Sequence, residues 1–116
     1  MSLKDKIAIV TGSSKGIGFA IAKEFAENNG AVVIVCSRSH ERATKAAAQI
    51  NGKTHAAKVD VTNDTSIKEF IQQISSKYNQ IDILVNNADI HLTRISGTGN
   101  FMRAQLKNWM GYSKLT

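Results

Sequence analysis

Apolar and polar positions follow a regular alternation of two patterns over the first 85 residues. Four short runs rich in β-branched residues are typical of strands that are covered on both faces, and they predict a parallel sheet. These runs are residues 7–10, 31–36, 55–59 and 81–85. Between them, apolar positions at helical spacing predict three helices over residues 15–28, 40–50 and 63–78.

The first and third predicted helices each carry an apolar stripe. In the first, Ile17, Ile21 and Phe25 recur at every fourth position and predict the apolar face. The third follows a helix-start signal at Thr62-Asn63-Asp64, and its stripe consists of Ile67, Phe70, Ile71, Ile74 and Tyr78. Right-handed crossovers place the strands in the order 3-2-1-4. We therefore expect an α/β fold, a Rossmann-type doubly wound parallel sheet, with a ligand at the switch point between strands 1 and 4.

Three glycines stand between the first strand and the first helix. Gly12 permits a tight turn, while Gly16 and Gly18 allow close approach of a pyrophosphate and close packing of the helix on the sheet. The free N–H groups at the helix N-terminus would then bind the phosphates. An ordinary strand-to-helix turn is the alternative, and the flanking strand and helix favour a nucleotide site.

Three linked signatures extend this pattern along the chain. They are Thr11-Gly12-x-x-x-Gly16-x-Gly18, Asp60-Val61 after the third strand, and Asn86-Asn87-Ala88 after the fourth. Together they resemble the N-terminal half of the short-chain dehydrogenase/reductase family, and most closely 3-oxoacyl-[acyl-carrier-protein] reductases. The resemblance covers residues 3–90 and implies hydride transfer between a nicotinamide and a carbonyl or alcohol.

The resemblance also implies which residues bind the cofactor. Those of the phosphate loop are Gly12, Ser14, Lys15, Gly16, Ile17 and Gly18. Asp60 and Val61 match the pair that contacts adenine, and Asn87 and Ala88 match the segment along the adenosine and ribose. Helix capping by Asp60 and turn formation by the asparagines are the alternatives that the residues themselves leave open.

The end of the second strand favours NADP over NAD. An NAD site has an acidic residue there for the ribose 2′-hydroxyl, whereas an NADP site has cations for the 2′-phosphate. The chain continues through Ser37 and Arg38, with no acidic residue before Glu41. Lys15 adds a second cation from the glycine loop, so we expect Ser37, Arg38 and Lys15 to bind NADP, with NAD less favoured.

The catalytic residues of the family have no counterpart in this sequence. The family uses Asn, Ser, Tyr and a Lys four residues after the Tyr, whereas Tyr112 and Lys114 are only two apart. Asp89 also replaces a family glycine. We therefore expect no catalytic residue here: residues 1–90 form a truncated, four-stranded NAD(P)-binding half-domain, and residues 91–116 an irregular or weakly helical basic tail. The alternative function is a nucleotide-binding module without enzymatic activity.

Composition and charge narrow the remaining possibilities. The net charge of +6 is concentrated after Asp89, but aromatic residues are sparse there, so nucleic-acid binding is the weakest alternative and no nucleic-acid partner is expected. No apolar stretch reaches the length of a membrane span, and the histidines have no metal-ligand spacing. The lone Cys36 suggests a reduced, cytoplasmic setting. We also expect self-association through the exposed edge strand of a truncated sheet.

Overall fold

The described part of the chain is built on one parallel sheet. The structure is a computed structural model, and it describes residues 2–85 and Asn87. Its strands are β1 (Ile7–Val10), β2 (Val32–Ser37), β3 (Lys53–Lys58) and β4 (Ile83–Val85). Its helices are α1 (Gly16–Asn28), α2 (His40–Ala48) and α3 (Asp64–Ser75). The predicted tail, residues 91–116, lies outside the described residues.

The strands pair in the predicted order, β3-β2-β1-β4, and every pair is parallel. Within β1, Val10 is level with Val35 of β2 on one side and with Val85 of β4 on the other. From β1 the chain adds β2 and β3 on one side, and it then adds β4 on the other side of β1. The switch point therefore lies between β1 and β4. This confirms the predicted Rossmann-type topology for the described strands.

Helices cover the two faces of the sheet unequally. One face packs against α3, whose buried side chains are Ile67, Phe70, Ile71 and Ile74. The opposite face packs against α1 and α2 through small residues, including Ala22, Ala26 and Ala46. The central strands β1 and β2 are almost wholly buried, so their continuous apolar runs match strands covered on both faces.

The structure corrects the predicted buried face of α1. Its buried residues are Gly18, Ala22 and Ala26, and Ile17 is 68% exposed. Ile21 and Phe25 are only partly buried at the border of the core. Small side chains let the helix axis approach the sheet closely, and the larger apolar residues then flank the contact.

The structure also corrects the third strand. β3 begins at Lys53, two residues earlier than predicted, and ends at Lys58. Only Ala57 of this strand is buried, because β3 pairs with β2 alone within the described chain. Hydrophobic patterning is weak in such a strand, since its backbone pairing does not require apolar side chains on both faces.

Candidate functional site

The residues predicted to bind a ligand gather at one edge of the sheet. Parallel strands have their carboxyl ends at the same edge, so the segments after β1, β2, β3 and β4 converge there. They contribute the loop 11–15, Arg38, Asp60 and Asn87, respectively. Ala88, the remaining predicted residue, lies outside the described residues.

Ser13 holds the loop after β1 in place. Its hydroxyl donates to the carbonyl of Val10 at 2.7 Å and accepts from the N–H of Cys36 at 2.9 Å. Its own N–H donates to the carbonyl of Cys36 at 2.9 Å. Ser13 is fully buried, and a buried hydroxyl needs such partners. Sequence reasoning missed this residue, although a small hydroxyl in the short loop after a buried strand was the available signal.

Asn87 connects the end of β4 to the glycine loop. Its amide Nδ2 donates to the carbonyl of Gly12 at 3.2 Å, and Gly12 adopts a φ of 60°. A Cβ at Gly18 would lie only 2.5 Å from that Nδ2 and would collide with the Gly12 carbonyl. Asn87 thus bridges two strand ends, and this hydrogen bond requires glycine at position 18.

The N-terminus of α1 differs from those of α2 and α3. Its N-cap residue, Lys15, makes no side-chain capping hydrogen bond, and its first turn contains no acidic residue. By contrast, Ser39 caps α2 and Asn63 caps α3, and each of those helices has an acidic residue in its first turn. The positive end of the α1 dipole is therefore not offset by a side chain.

Glycine keeps the space beside this helix end open. Gly16 has a φ of 63°, and a Cβ built on it meets no atom within 4 Å. Ser14 is partly exposed, while Lys15 and Ile17 are exposed at the same end of α1. A pyrophosphate held by helix-terminal N–H groups needs such an uncovered surface.

Ser37 and Arg38 end β2 with different roles. Ser37 is only 8% exposed, and its hydroxyl accepts from the N–H of Ser39 at 3.3 Å. Arg38 is exposed, and its charge contributes to lowering the pKa of Asp60. One cation of the predicted pair is therefore exposed directly after β2, and its charge adds to the effect of the Thr62 hydrogen bonds on Asp60.

Asp60 is held in a local turn rather than in a helix cap. Its Oδ1 accepts from the hydroxyl of Thr62 at 2.6 Å and from the N–H of Thr62 at 2.9 Å. These two hydrogen bonds are the main reason that the pKa of Asp60 lies below its ordinary value. Asn63 caps α3 instead, through the N–H of Ser66, so the helix-capping alternative for Asp60 is wrong.

Val61 belongs to the hydrophobic core. It is buried in the cluster beneath α3 with Ile67 and Phe70. Its side chain therefore offers little surface to a ligand. A cavity of about 470 Å³ lies away from all of these residues, at the amino end of the sheet, beside Lys4, Gly30 and Lys53.

Comparison with known proteins identifies the family. The family model described as "short chain dehydrogenase" matches residues 6–115. The chain belongs to the short-chain dehydrogenase family. The match runs past residue 90, where the resemblance inferred from the sequence signatures ends.

Relatives within the short-chain dehydrogenase family include reductases and polyol dehydrogenases. The chain is 42% identical over 88 residues to the 3-oxoacyl-[acyl-carrier-protein] reductase FabG of Haemophilus influenzae, covering 76% of this chain and 36% of the relative. It is 41% identical over 90 residues to galactitol 2-dehydrogenase of Agrobacterium fabrum, covering 78% and 35%.

Solved structures of this family superpose on the chain. A Pseudomonas aeruginosa RhlG/NADP active-site complex gives a TM-score of 0.80 at 29% identity, covering 90% of this chain and 46% of that one. L-sorbose reductase of Gluconobacter frateurii, complexed with NADPH and L-sorbose, gives 0.79 at 26% identity, covering 94% and 49%. The chain thus spans about a third to a half of the length of these proteins. None of its helices within the described residues is long and apolar enough to cross a membrane.

Proposed function

We propose that this chain provides the cofactor-binding part of an NADP-dependent oxidoreductase that transfers hydride between a nicotinamide and a carbonyl or alcohol. The observation that carries the proposal is the α1 N-terminus, which lacks a side-chain cap and an acidic residue and is left open by Gly16. Its N–H groups would hold the pyrophosphate, with the backbone of Ser14 and Ile17 alongside. The nicotinamide supplies the hydride when the dinucleotide is bound.

Each strand end has a role in this proposal. The ionised carboxylate of Asp60 would accept from the adenine amine, and the Val61 backbone would lie beside it. Asn87 would keep Gly12 in position below the ligand, and Ala88 would line the adenosine and ribose. The buried Ser37 would shape the turn that presents Arg38.

Arg38 and Lys15 support the choice of NADP. Arg38 is exposed directly after β2, and the first acidic residue beyond it, Glu41, lies in the first turn of α2. A guanidinium matches the geometry of a 2′-phosphate, whereas a 2′-hydroxyl gains little from it. One charge-assisted hydrogen bond of about 1.5 to 3 kcal/mol corresponds to a preference of roughly 10- to 100-fold.

In this proposal the described residues contribute to cofactor binding and not to proton transfer. Tyr78, the only tyrosine among residues 2–85, packs on His55 near the end of α3 and away from the carboxyl edge of the sheet. We therefore propose that turnover needs groups outside the described residues. A nucleotide-binding module without enzymatic activity would use the same site, and assay of NADPH oxidation with carbonyl substrates distinguishes the two functions.

Titration with NADPH and NADH, followed by nicotinamide fluorescence, tests the proposal. The chain should bind NADPH more tightly, and Arg38→Asp should reduce the ratio of NADPH to NADH affinity by about 10-fold or more. Lys45→Asp is the matched control, because it makes the same charge change in the last turn of α2. An unchanged ratio in Arg38→Asp contradicts the NADP assignment, and absence of binding to either cofactor contradicts the whole proposal.

A further inference from the structure

We propose that Asn51 is a site of spontaneous deamidation, and that the fold protects the second Asn-Gly pair of the described chain, Asn29-Gly30. Asparagine followed by glycine is chemically labile because no Cβ on the second residue hinders ring closure. The two pairs are identical in sequence. The structure, however, gives them different surroundings.

The reaction needs only the chain and water. The backbone nitrogen of Gly52, after loss of its proton, attacks the side-chain carbonyl carbon of Asn51 and forms a new N–C bond. The bond from that carbon to the amide nitrogen breaks, and ammonia leaves. The resulting succinimide takes up one water at either carbonyl and opens to aspartate or to isoaspartate.

Asn51 has the freedom that ring closure requires. It is exposed, in the bend between α2 and β3. Its side chain makes no hydrogen bond to any of the residues that the structure describes, whereas its backbone N–H donates to Glu27 Oε2 at 2.9 Å. Its side-chain carbon can therefore turn toward Gly52 without breaking an existing side-chain contact.

Asn29 is held on both its side chain and its backbone. Its Nδ2 donates to the carbonyl of Glu24 at 3.1 Å, and its own carbonyl accepts from the N–H of Leu3 at 2.7 Å. Its ψ of −5° directs the bond to Gly30 away from the side chain. Ring closure would have to rotate that bond and break these contacts, so the folded state protects this pair.

Deamidation at residue 51 would loosen the turn that carries it. The new carboxylate would lie near Glu27, a group whose pKa is lowered chiefly by the hydrogen bond from Asn51, so two negative charges would meet. Gly52 packs so closely that a Cβ on it would lie 2.9 Å from the carbonyl of Ala26. An isoaspartate would lengthen the backbone directly before Lys53, where β3 begins to pair with β2.

The experiment compares both pairs in one molecule. Folded protein is kept in mildly alkaline buffer, and a parallel sample is kept in concentrated urea. Trypsin then separates the sites into residues 24–38 and 46–53, and mass spectrometry measures amide loss in each peptide. Enzymatic methylation of isoaspartate reports whether the ring formed.

In the folded protein, Asn51 should lose its side-chain amide at least about tenfold faster than Asn29, because Asn29 must first break two hydrogen bonds. In urea the two rates should become similar. The proposal is overturned if Asn29 deamidates as fast as Asn51 in the folded protein, if only the urea sample reacts, or if no isoaspartate forms. Asn51→Asp should melt at a lower temperature than Asn51→Ser, and equal melting temperatures would overturn the proposed effect on the turn.

Discussion

At the scale of single residues, a positive backbone angle φ marks the positions that favour glycine over residues with a side chain. Within the described chain a positive φ occurs at Gly12, Gly16, Gly30 and at one residue with a side chain, Asp5. Asp5 has a φ of 64°, and its N–H donates to the carbonyl of Gly30 at 3.2 Å. This arrangement folds the N-terminal segment against the end of α1, and it strains Asp5 by about 1 to 2 kcal/mol.

Replacing Asp5 with glycine should stabilise the protein. Glycine adopts the same φ without strain, although it adds entropy to the unfolded chain. The ion pair that is lost, Asp5 with Lys53 at 3.6 Å, is exposed and contributes little. We expect Asp5→Gly to raise the free energy of unfolding by up to about 1 kcal/mol in urea titrations. Asp5→Ala keeps the strain and is the control, and the prediction is wrong if this variant is the more stable of the two.

At the scale of elements, hydrophobic periodicity predicted the helices and strands and their order. Contacts that depend on small residues or on hydrogen bonds were missed. The order of helices and strands and the residues of β1 were predicted correctly, and the predicted start signal at Thr62-Asn63-Asp64 lies where α3 begins. The predicted buried face of α1 was wrong because alanine and glycine contribute little to a hydrophobic pattern, although they allow the closest packing. At the site, the convergence of the strand ends follows from parallel topology. The role of Ser13 in holding the loop after β1 depends on hydrogen bonds that hydrophobic periodicity does not show.

The contact between β3 and the end of α3 predicts a pH-dependent stability. His55 lies edge-on to Tyr78, with ring centroids 5.9 Å apart and the Tyr78 hydroxyl 3.5 Å from Nδ1. Partial burial, and then the charges of Lys77 and His40, lower the pKa of His55 from 6.5. The unfolded chain therefore binds the proton more readily, so the free energy of unfolding should decrease as pH falls below about 6.5.

Thermal melts about one pH unit above and below this value test the prediction, with His55→Phe as the control, since phenylalanine keeps a ring against Tyr78 without titrating. The variant should lose most of the pH dependence in this range. Asp60 does not interfere, because its lowered pKa affects stability only below about 3.8. An equally steep dependence in His55→Phe would show that another group is responsible.

At the scale of the whole molecule, we expect the outer edge of β4 to govern association. Among the described residues, β4 pairs with β1 alone, and Ile83 and Val85 are only partly buried. A free strand edge with apolar side chains can pair with another chain. We predict that the chain self-associates with increasing concentration, which sedimentation velocity measures. A single monomeric species across the accessible concentration range would contradict this prediction.

The amide of Asn87 ties the position just after β4 to the glycine loop after β1 by a hydrogen bond within the chain itself. Holding Asn87 against Gly12 costs conformational entropy during folding, and we expect that part of the cost not to recur during recognition. We therefore expect the association of a binding partner at this edge to be fast and to be described by a single kinetic phase. In Asn87→Ala the amide is replaced by a methyl group, so this ordering would have to occur during binding, and we expect slower association.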